Sequence, residues 1–349
     1  MKLYMKIALV VACSVLLSVS CDKNPEGTST DNTFFAKGAD ISWLTQMESE
    51  GMKFYDSYGA ESECTKVIRD AGFNSVRYRV WVNPKDGWNS KEDVLKKALR
   101  AQQLGMKIMI DFHYSDTWAD PGHQDPPAAW AGYDIDGLVK AVSDHTAEVL
   151  NLLKSNGVDV EWVQAGNETT TGMLWPLGKY DAEGGRNYGR LTAAAYDAAK
   201  SVYPDCKVIV HLDQGQDIYR YKTLIPSLLG GGGKFDIIGM SLYPCWWDDA
   251  SKGFTTNWKD ATMQCISNIP MLAGLYNKPV IICEVGMPAS LPDLSREMLS
   301  YLLAKTSAMK TCQGVFYWEP EAPDGYNGGY GLGAFKDGRP TAALAPFRN

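Results

Sequence analysis

From residue 34 onward, short apolar runs alternate with longer stretches whose apolar residues recur at helical spacing. The apolar runs have the length of buried strands, and we predict strands at Phe35–Ile41, Ser75–Val82, Lys107–Phe112, Val158–Ala165, Lys207–Leu212, Phe235–Leu242, Pro279–Cys283 and Gly314–Trp318. The intervening amphipathic stretches predict helices at Glu61–Ala71, Lys91–Leu104, Leu138–Ser155, Tyr188–Val202, Tyr219–Leu229, Trp258–Leu275 and Asp293–Met309. The chain therefore reads as a repeated strand–helix unit.

The junctions between helices and strands support this order. Three predicted helices are followed within two residues by Gly72, Gly105 or Gly157, and glycine after the last turn supplies the left-handed cap of a helix. Eight strand–helix units without a glycine-rich nucleotide loop after the first strand predict a single-domain (β/α)8 TIM barrel. A doubly wound sheet is the less favoured alternative. The last helix is the weakest, because Thr341–Ala345 is short and Pro346 follows it.

The N-terminus has the features of an export signal. Lys2 and Lys6 precede the apolar segment Ile7–Leu17, which is too short to span a membrane, and small residues lead to Cys21. This pattern predicts a lipoprotein-type signal at 1–20, a lipid anchor on Cys21, a flexible tether at 21–33 and a catalytic barrel at 34–349. We expect an exported protein, as an outer-membrane or cell-surface lipoprotein. A simple secretory signal, with a periplasmic or secreted product, remains the alternative.

Composition narrows the classes of partner. The formal net charge is −7, and it becomes −9 without the first twenty residues, which carry two lysines and no acid. An acidic chain without basic runs argues against nucleic acid and against anionic membrane surfaces. The 11 tryptophans and 18 tyrosines exceed what a core requires, which favours a carbohydrate groove or an aromatic-rich core. The six cysteines after Cys21 match no metal motif, and we assign no disulfide among them.

Two glutamates carry the candidate chemistry. Glu168 follows the fourth predicted strand and Glu284 follows the seventh. In a barrel all strands end on one face, where the active sites of such enzymes lie, so the two carboxyl groups are predicted to face each other. A carboxyl group is a poor structural choice at the tip of a buried strand. Cleavage of a glycosidic bond needs two carboxyl groups: one acid and one nucleophile or base.

Other polar residues stand at the same strand ends, and together they predict a site. Asp111 and Glu319 are also explained as support behind this site, and His145, on a helix, is interpreted as a surface or packing residue. The polar strand-end residues are Asp40, Ser42, Arg77, Arg79, Asp111, His113, Asp116, His211, Asp213, Gln214, Tyr243, Trp318 and Glu319.

Two segments resemble glycoside hydrolase family 53, the arabinogalactan endo-β-1,4-galactanases. They are Val76–Pro84 and Asp111–Gly122, which reads DFHYSDTWADPG and is followed by Gln124. The shorter segments Gly38–Ser42, Val163–Glu168 and Tyr317–Pro320 fit the same family in the same order, so the resemblance spans about residues 34–347. The Asn-Glu pair alone marks only the broad clan of retaining barrel glycosidases, whereas the DFHYSDTWADPG segment is far more specific.

The resemblance implies a role for each site residue. Glu168 would be the acid/base, Glu284 the nucleophile and Asn167 the partner of the sugar 2-hydroxyl. Arg77, with Arg79 beside it, would lie near Glu284 and keep it ionised. The other implied substrate contacts are Tyr243, which would orient the nucleophile, Trp318, which would floor the cleavage subsite, and Asp40, His113, Trp118 and Asp213, which would bind hydroxyls or stack on sugars.

The implied function is retaining hydrolysis of β-1,4-galactan through a covalent galactosyl-enzyme, with carboxyl groups about 5–5.5 Å apart. We expect a monomer with no cofactor. Because Met287–Leu294 is short and offers only Asp293, we expect no calcium site in that loop. The alternatives are another retaining barrel β-glycanase (a mannanase, cellulase or xylanase) and a surface glycan-binding lipoprotein without catalysis.

Overall fold

The computed structural model describes residues 34–246 and 257–348. Eight parallel strands form a closed barrel, in which each strand pairs with the next along the chain and the last pairs with the first. This confirms the predicted single-domain (β/α)8 barrel. The predicted signal and tether at 1–33 lie outside the described residues. The barrel strands are β1 (Ala36–Asp40), β2 (Ser75–Val80), β3 (Lys107–Phe112), β4 (Trp162–Ala165), β5 (Lys207–Leu212), β6 (Ile237–Leu242), β7 (Val280–Val285) and β8 (Cys312–Trp318).

The helices surround the barrel in chain order. They are α1 (Leu44–Ser49), α2 (Cys64–Asp70), α3 (Lys91–Gln103), α4 (Ile135–Ser155), α5 (Arg186–Val202), α6 (Ile218–Gly230), α7 (Lys259–Tyr276) and α8 (Pro292–Thr306). The sequence pattern did not predict α1, which has fewer than two turns. The final segment is a 3₁₀ helix, Ala342–Arg348, instead of an α-helix, because Pro346 cannot donate a backbone hydrogen bond.

Local signals in the sequence explain where helices begin and end. Ser90 and Asp134 cap α3 and α4 by accepting backbone hydrogen bonds from Asp93 (3.3 Å) and Gly137 (2.8 Å). The three glycines predicted to end helices at 72, 105 and 157 all have positive φ, between 70° and 104°. The sequence therefore determines the lengths of several helices through their caps.

Apolar side chains fill the lower part of the barrel, away from the C-terminal ends of the strands. The cluster consists of buried residues from seven strands, and polar residues replace them one layer higher. Functional side chains are thus confined to the upper end. The members of the cluster are Ala36, Met109, Trp162, Ile209, Ile237, Ile281, Cys283 and Phe316.

All six cysteines after Cys21 are buried and unpaired. Burial raises the pKa of the Cys206 and Cys245 thiols to about 11. Within 34–246 and 257–348, we find no helix that combines the length and apolar character required to cross a bilayer.

Candidate active site

Ser241 on β6 links the two glutamates. Its Cα is the register partner of Glu284 on β7, and its hydroxyl donates a 2.6 Å hydrogen bond to Oε1 of Glu168. The two carboxyl groups therefore approach the same strand position from β4 and β7. The structure thus brings together the pair that the sequence predicted.

A β-bulge in β7 aims Glu284 into the site. Cys283 belongs to the cluster inside the barrel, so strict alternation would turn the next residue away from the barrel axis. The pairing shifts by one residue at this point: Met240 lies opposite Ile282, whereas Ser241 lies opposite Glu284. The additional residue lets both Cys283 and Glu284 point inward.

The turn after β4 depends on Gly166. Its φ is +92°, and a Cβ atom there would lie 2.5 Å from Cγ2 of Thr169. Two residues later Glu168 also has a positive φ, 44°, a conformation that is uncommon outside glycine and that collects at functional sites. This turn places Asn167 and Glu168 together at the mouth of the barrel.

Arg77 is the central cation of the site and is almost completely buried. Its guanidinium contacts carboxyl oxygens of Asp40 (2.6 Å), Asp111 (2.8 Å) and Glu284 (3.0 Å), and it donates to Oδ1 of Asn167 (2.8 Å). The predicted position of Arg77 beside Glu284 is confirmed. A planar guanidinium with several partners holds them in a fixed arrangement.

The nucleophile candidate has a raised pKa despite this cation. Burial raises the pKa of Glu284 to about 7, while Arg77 and the hydrogen bond from the Tyr243 hydroxyl (2.6 Å) act in the opposite direction. The contact with Arg77 lowers the pKa of Glu284, as the sequence led us to expect. Desolvation raises this pKa by more, so the net shift is upward.

Glu168 is the more acid-like of the two carboxyls. Burial raises its pKa well above the ordinary value, and the nearby charges of Glu284 and Asp213 raise it further. Only the Ser241 hydroxyl donates to it among the described side chains, whereas Glu284 has both Arg77 and Tyr243. Glu284 is therefore the first to ionise, and Glu168 keeps its proton.

Asn167 and His211 form the floor between the glutamates. Asn167 donates one hydrogen of Nδ2 to the backbone oxygen of Ala119 (2.7 Å), which leaves its second amide hydrogen for another partner. Nε2 of His211 lies 2.9 Å from the Ser241 hydroxyl, and its Nδ1 accepts from the backbone N–H of Glu168 (3.3 Å). Burial lowers the pKa of His211 well below its ordinary value, so the ring is neutral.

Three predicted contact residues lie behind the site instead of in it. Arg79 pairs with Glu319 and not with Glu284, which corrects the expected position. Asp40 has no exposed surface, and its carboxyl oxygens accept hydrogen bonds from the Ser42 hydroxyl and the Arg77 guanidinium. The nearly buried His113 contacts Asp111 (3.0 Å) and accepts from the backbone N–H of Ala119 (2.9 Å). These side chains orient other groups, and contacts of Asp40 and His113 with sugar hydroxyls stay predictions.

Half-buried aromatic rings form one wall of the mouth. Trp318 packs against Trp43 (5.3 Å between ring centroids), Trp118 (5.9 Å) and Tyr330 (4.9 Å). Partly exposed rings such as Trp118, Trp318 and Tyr330 suit the C–H faces of a sugar. Asp213, near Glu168, accepts from the Arg220 guanidinium (2.7 Å). Contacts of Trp118, Asp213 and Trp318 with substrate stay predictions.

The sequence argument did not single out Ser241, Gln164 or Trp43. Strand alternation gives a signal for Ser241, because it lies two residues before Tyr243 and so shares its face of the strand. Gln164 donates to Asp111 (2.5 Å) and accepts from Arg77 (3.1 Å). Its inward direction also follows from alternation along β4. His145, interpreted as a surface or packing residue, is buried and packs against Phe112.

In the described ranges, no group of three or more histidine, cysteine, aspartate or glutamate side chains has an arrangement that would hold a metal ion.

Comparison with known proteins identifies the family. The model of glycosyl hydrolase family 53 matches residues 36–302. Arabinogalactan endo-β-1,4-galactanase A of Aspergillus niger is 34% identical over 312 residues, which cover 81% of this chain and 84% of that protein. A solved structure of fungal β-1,4-galactanases has a TM-score of 0.80 at 28% identity, covering 89% of this chain and 98% of that one. The family 53 catalytic domain of Ignisphaera aggregans has a TM-score of 0.79 at 27% identity, covering 90% and 96%. The chain therefore belongs to glycosyl hydrolase family 53.

Proposed function

We propose that this glycoside hydrolase is a retaining endo-β-1,4-galactanase that cleaves β-1,4-galactan. The observation that carries the proposal is the pairing of a protonated Glu168 with an Arg77-bound Glu284 at one end of the barrel. The names of the fungal relatives support the choice of substrate. In this assignment Glu168 is the acid/base and Glu284 is the nucleophile.

In the first step, a carboxylate oxygen of Glu284 attacks the anomeric carbon, and the bond from that carbon to the leaving oxygen breaks. Glu168 transfers its proton to the leaving oxygen, so the released chain departs as a neutral alcohol. The second amide hydrogen of Asn167 is available to donate to the sugar 2-hydroxyl, a contact that strengthens in the transition state. The product is a galactosyl ester of Glu284.

The second step uses the same groups in reversed roles. Once Glu284 is esterified its negative charge is gone, so one cause of the raised pKa of Glu168 disappears and Glu168 remains as an anion. It then takes a proton from water, whose oxygen attacks the anomeric carbon and releases Glu284. Two inversions give net retention of configuration.

The alternatives receive less support. Solved structures of a β-1,4-mannanase and a xylanase resemble the chain with TM-scores of 0.53 and 0.59, but at only 13% identity, so they share the fold alone. A glycan-binding protein without catalysis would not need an acid and a nucleophile linked through Ser241.

Chromatography of the products from linear β-1,4-galactan tests the proposal, with mannan, xylan and cellulose as controls. We expect a ladder of galacto-oligosaccharides that shortens with time, and NMR of the early products should show the β-anomer. Exclusive release of one short product would contradict internal cleavage, and cleavage of a control polymer alone would contradict the substrate.

The rate should depend on pH as a bell-shaped curve. As pH falls through about 7, the pKa of Glu284, this carboxylate gains a proton and cannot attack. As pH rises through the raised pKa of Glu168, the acid loses its proton and cannot assist the leaving group. Measuring kcat/KM on galactan from about pH 4 to 10 tests this prediction. A flat profile across neutral pH would contradict it.

Replacing Tyr243 with Phe should move the acid limb to higher pH. The phenol hydrogen bond favours the ionised form of Glu284, so its loss raises the pKa of that carboxyl by about one unit and lowers the plateau rate about tenfold. Tyr196→Phe is a matched control, because its hydroxyl donates to Asp236 (3.2 Å) away from the site. An acid limb that moves equally in both variants would refute the role of Tyr243.

For localisation, we propose export as a lipoprotein anchored through Cys21, on the basis of the N-terminal sequence. Replacing Cys21 with Ser should shift the enzyme from the membrane fraction to the soluble fraction, with unchanged kcat on galactan. Equal amounts of both proteins in the membrane fraction would contradict lipid anchoring.

A further inference from the structure

Trp43, Trp118 and Trp318 together form a tryptophan wall at the mouth of the barrel. Two glutamates lie buried behind this wall, just after the end of β8. Glu319 is fully buried; it accepts from the backbone N–H of Trp43 (3.1 Å) and from the guanidinium of Arg79. Glu321 is 1% exposed, and no other described residue donates a hydrogen bond to either of its carboxyl oxygens. The carboxyl group of Glu319 is a close polar neighbour of the Glu321 carboxyl group.

Two carboxylates cannot hydrogen-bond to each other, because both are acceptors only. The surrounding charges do not allow two anions either. Lys97, the nearby buried lysine, is paired with Asp93 (2.9 Å). Among the described residues, the remaining buried cations are two arginines. They contact the buried carboxyl groups of Asp40, Asp111, Glu284 and Glu319, which leaves Glu321 without a cation. An unpaired buried anion is strongly unfavourable, so the carboxyl group without a cation must carry a proton.

We propose that Glu321 is a permanently protonated positioning residue, which donates its hydroxyl hydrogen to Glu319 and thereby holds the tryptophan wall of the active site. Its role in substrate binding rests on the proposed function of that wall. Burial and the charge of Glu319 raise the pKa of Glu321 well above its ordinary value, in agreement with this assignment.

Arg79 connects Glu319 to the tryptophan rings of the wall. Only one guanidinium nitrogen of Arg79, Nη1, is hydrogen-bonded, to Glu319; Nε and Nη2 have no hydrogen-bond partner among the described residues. The guanidinium instead lies over the rings of Trp118 (4.2 Å from the centroid), Trp43 (5.3 Å) and Trp81 (5.6 Å). Cation–π attraction thus ties these rings to the arginine.

Glu319 therefore fixes two supports of Trp318 at once. One carboxyl oxygen of Glu319 accepts a hydrogen bond from the backbone N–H of Trp43, and the other accepts from Arg79, whose guanidinium lies over Trp118. Trp43 and Trp118 both contact the ring of Trp318. A hydrogen bond from Glu321 sets the rotation of the Glu319 carboxyl group. Without that donor, Glu319 can rotate and both supports become less well defined.

Two replacements of Glu321 by residues of similar size test whether its hydrogen bond to Glu319 positions the tryptophan wall. Glu321→Gln keeps a hydrogen-bond donor and cannot ionise, whereas Glu321→Met removes the donor without adding charge. We expect the KM for galactan to stay within about twofold in the Gln variant and to rise about tenfold in the Met variant, with kcat changing less than KM. Equal KM values in the two variants would overturn the proposal.

Infrared difference spectroscopy of wild type against Glu321→Gln tests the proton directly and needs no substrate. We expect the wild type to show the carbonyl stretch of a protonated carboxylic acid at neutral pH, and the variant to lack it. A carboxylate band in its place would overturn the proposal. Because this readout is independent of activity, it remains decisive if galactan proves not to be the substrate or if Glu321→Met fails to fold.

Discussion

Replacing Glu284 with Gln abolishes turnover of β-1,4-galactan in our expectation, lowering kcat by at least about four orders of magnitude. An amide oxygen cannot form the glycosyl ester, and the Arg77 guanidinium then lacks the anion that would attack. The fold should persist, because Arg77 keeps Asp40 and Asp111 as partners and the Gln side chain preserves the volume. The measurement is the initial rate of reducing-end formation on linear galactan.

A surface change provides the control for this prediction. Glu297→Gln on α8, where the side chain is 60% exposed, makes the same chemical change away from the site and should leave kcat unchanged. Glu284→Ala with added azide gives a second check: azide can attack an activated aryl galactoside from the vacated side and yield the α-galactosyl azide. Turnover of galactan by Glu284→Gln within tenfold of wild type would remove Glu284 from the nucleophile role.

Much of the site could be predicted because a barrel converts sequence position into spatial position. Every parallel strand delivers its last residue to the same face, so Glu168 and Glu284 needed only their strand number to be placed together. The same rule placed Arg77 at this face, and the resemblance to family 53 implied its position beside Glu284. These inferences depend on strand order and direction, which the period of apolar residues encodes reliably over a whole chain.

Details that depend on register could not be predicted in this way. Strict alternation would turn either Cys283 or Glu284 outward, and only the shifted pairing with β6 lets both point inward. Arg79 illustrates the other difficulty. It lies two residues after Arg77 on β2 and so points to the same face, but it is one layer higher, beside Glu319 directly after β8. Which carboxyl an arginine meets depends on barrel stagger, which the sequence of one strand does not contain.

The degree of burial, like the strand register, cannot be obtained from the sequence alone. The sequence indicated that Arg77 would favour the ionised form of Glu284, and this contact exists, but the balance is set by desolvation and raises the pKa to about 7. The protonated state of Glu321 likewise follows from the count of buried charges. Protonation states in this site are therefore properties of the packed barrel.

Replacing Glu168 with Gln should affect the two halves of the reaction differently. Galactan has a poor leaving group, so loss of the acid should lower kcat on the polymer by about 10²- to 10⁴-fold. An aryl β-galactobioside with an acidic phenol needs no proton on its leaving oxygen, and its first step should remain fast. Hydrolysis of the ester on Glu284 then lacks a base, so the intermediate should accumulate.

Stopped-flow release of the phenol gives the decisive measurement for Glu168, because one enzyme preparation reports both steps. We expect a rapid burst equal to the enzyme concentration, followed by slow turnover, and azide should restore turnover with a β-galactosyl azide as product. Azide needs no deprotonation, so it replaces the water that Glu168 would have activated. A variant that loses the first step equally on galactan and on the aryl glycoside would show that Glu168 positions the substrate without supplying the proton. Its raised pKa would then reflect only burial and the neighbouring charges of Glu284 and Asp213, and the acid would have to be sought elsewhere at the mouth of the barrel.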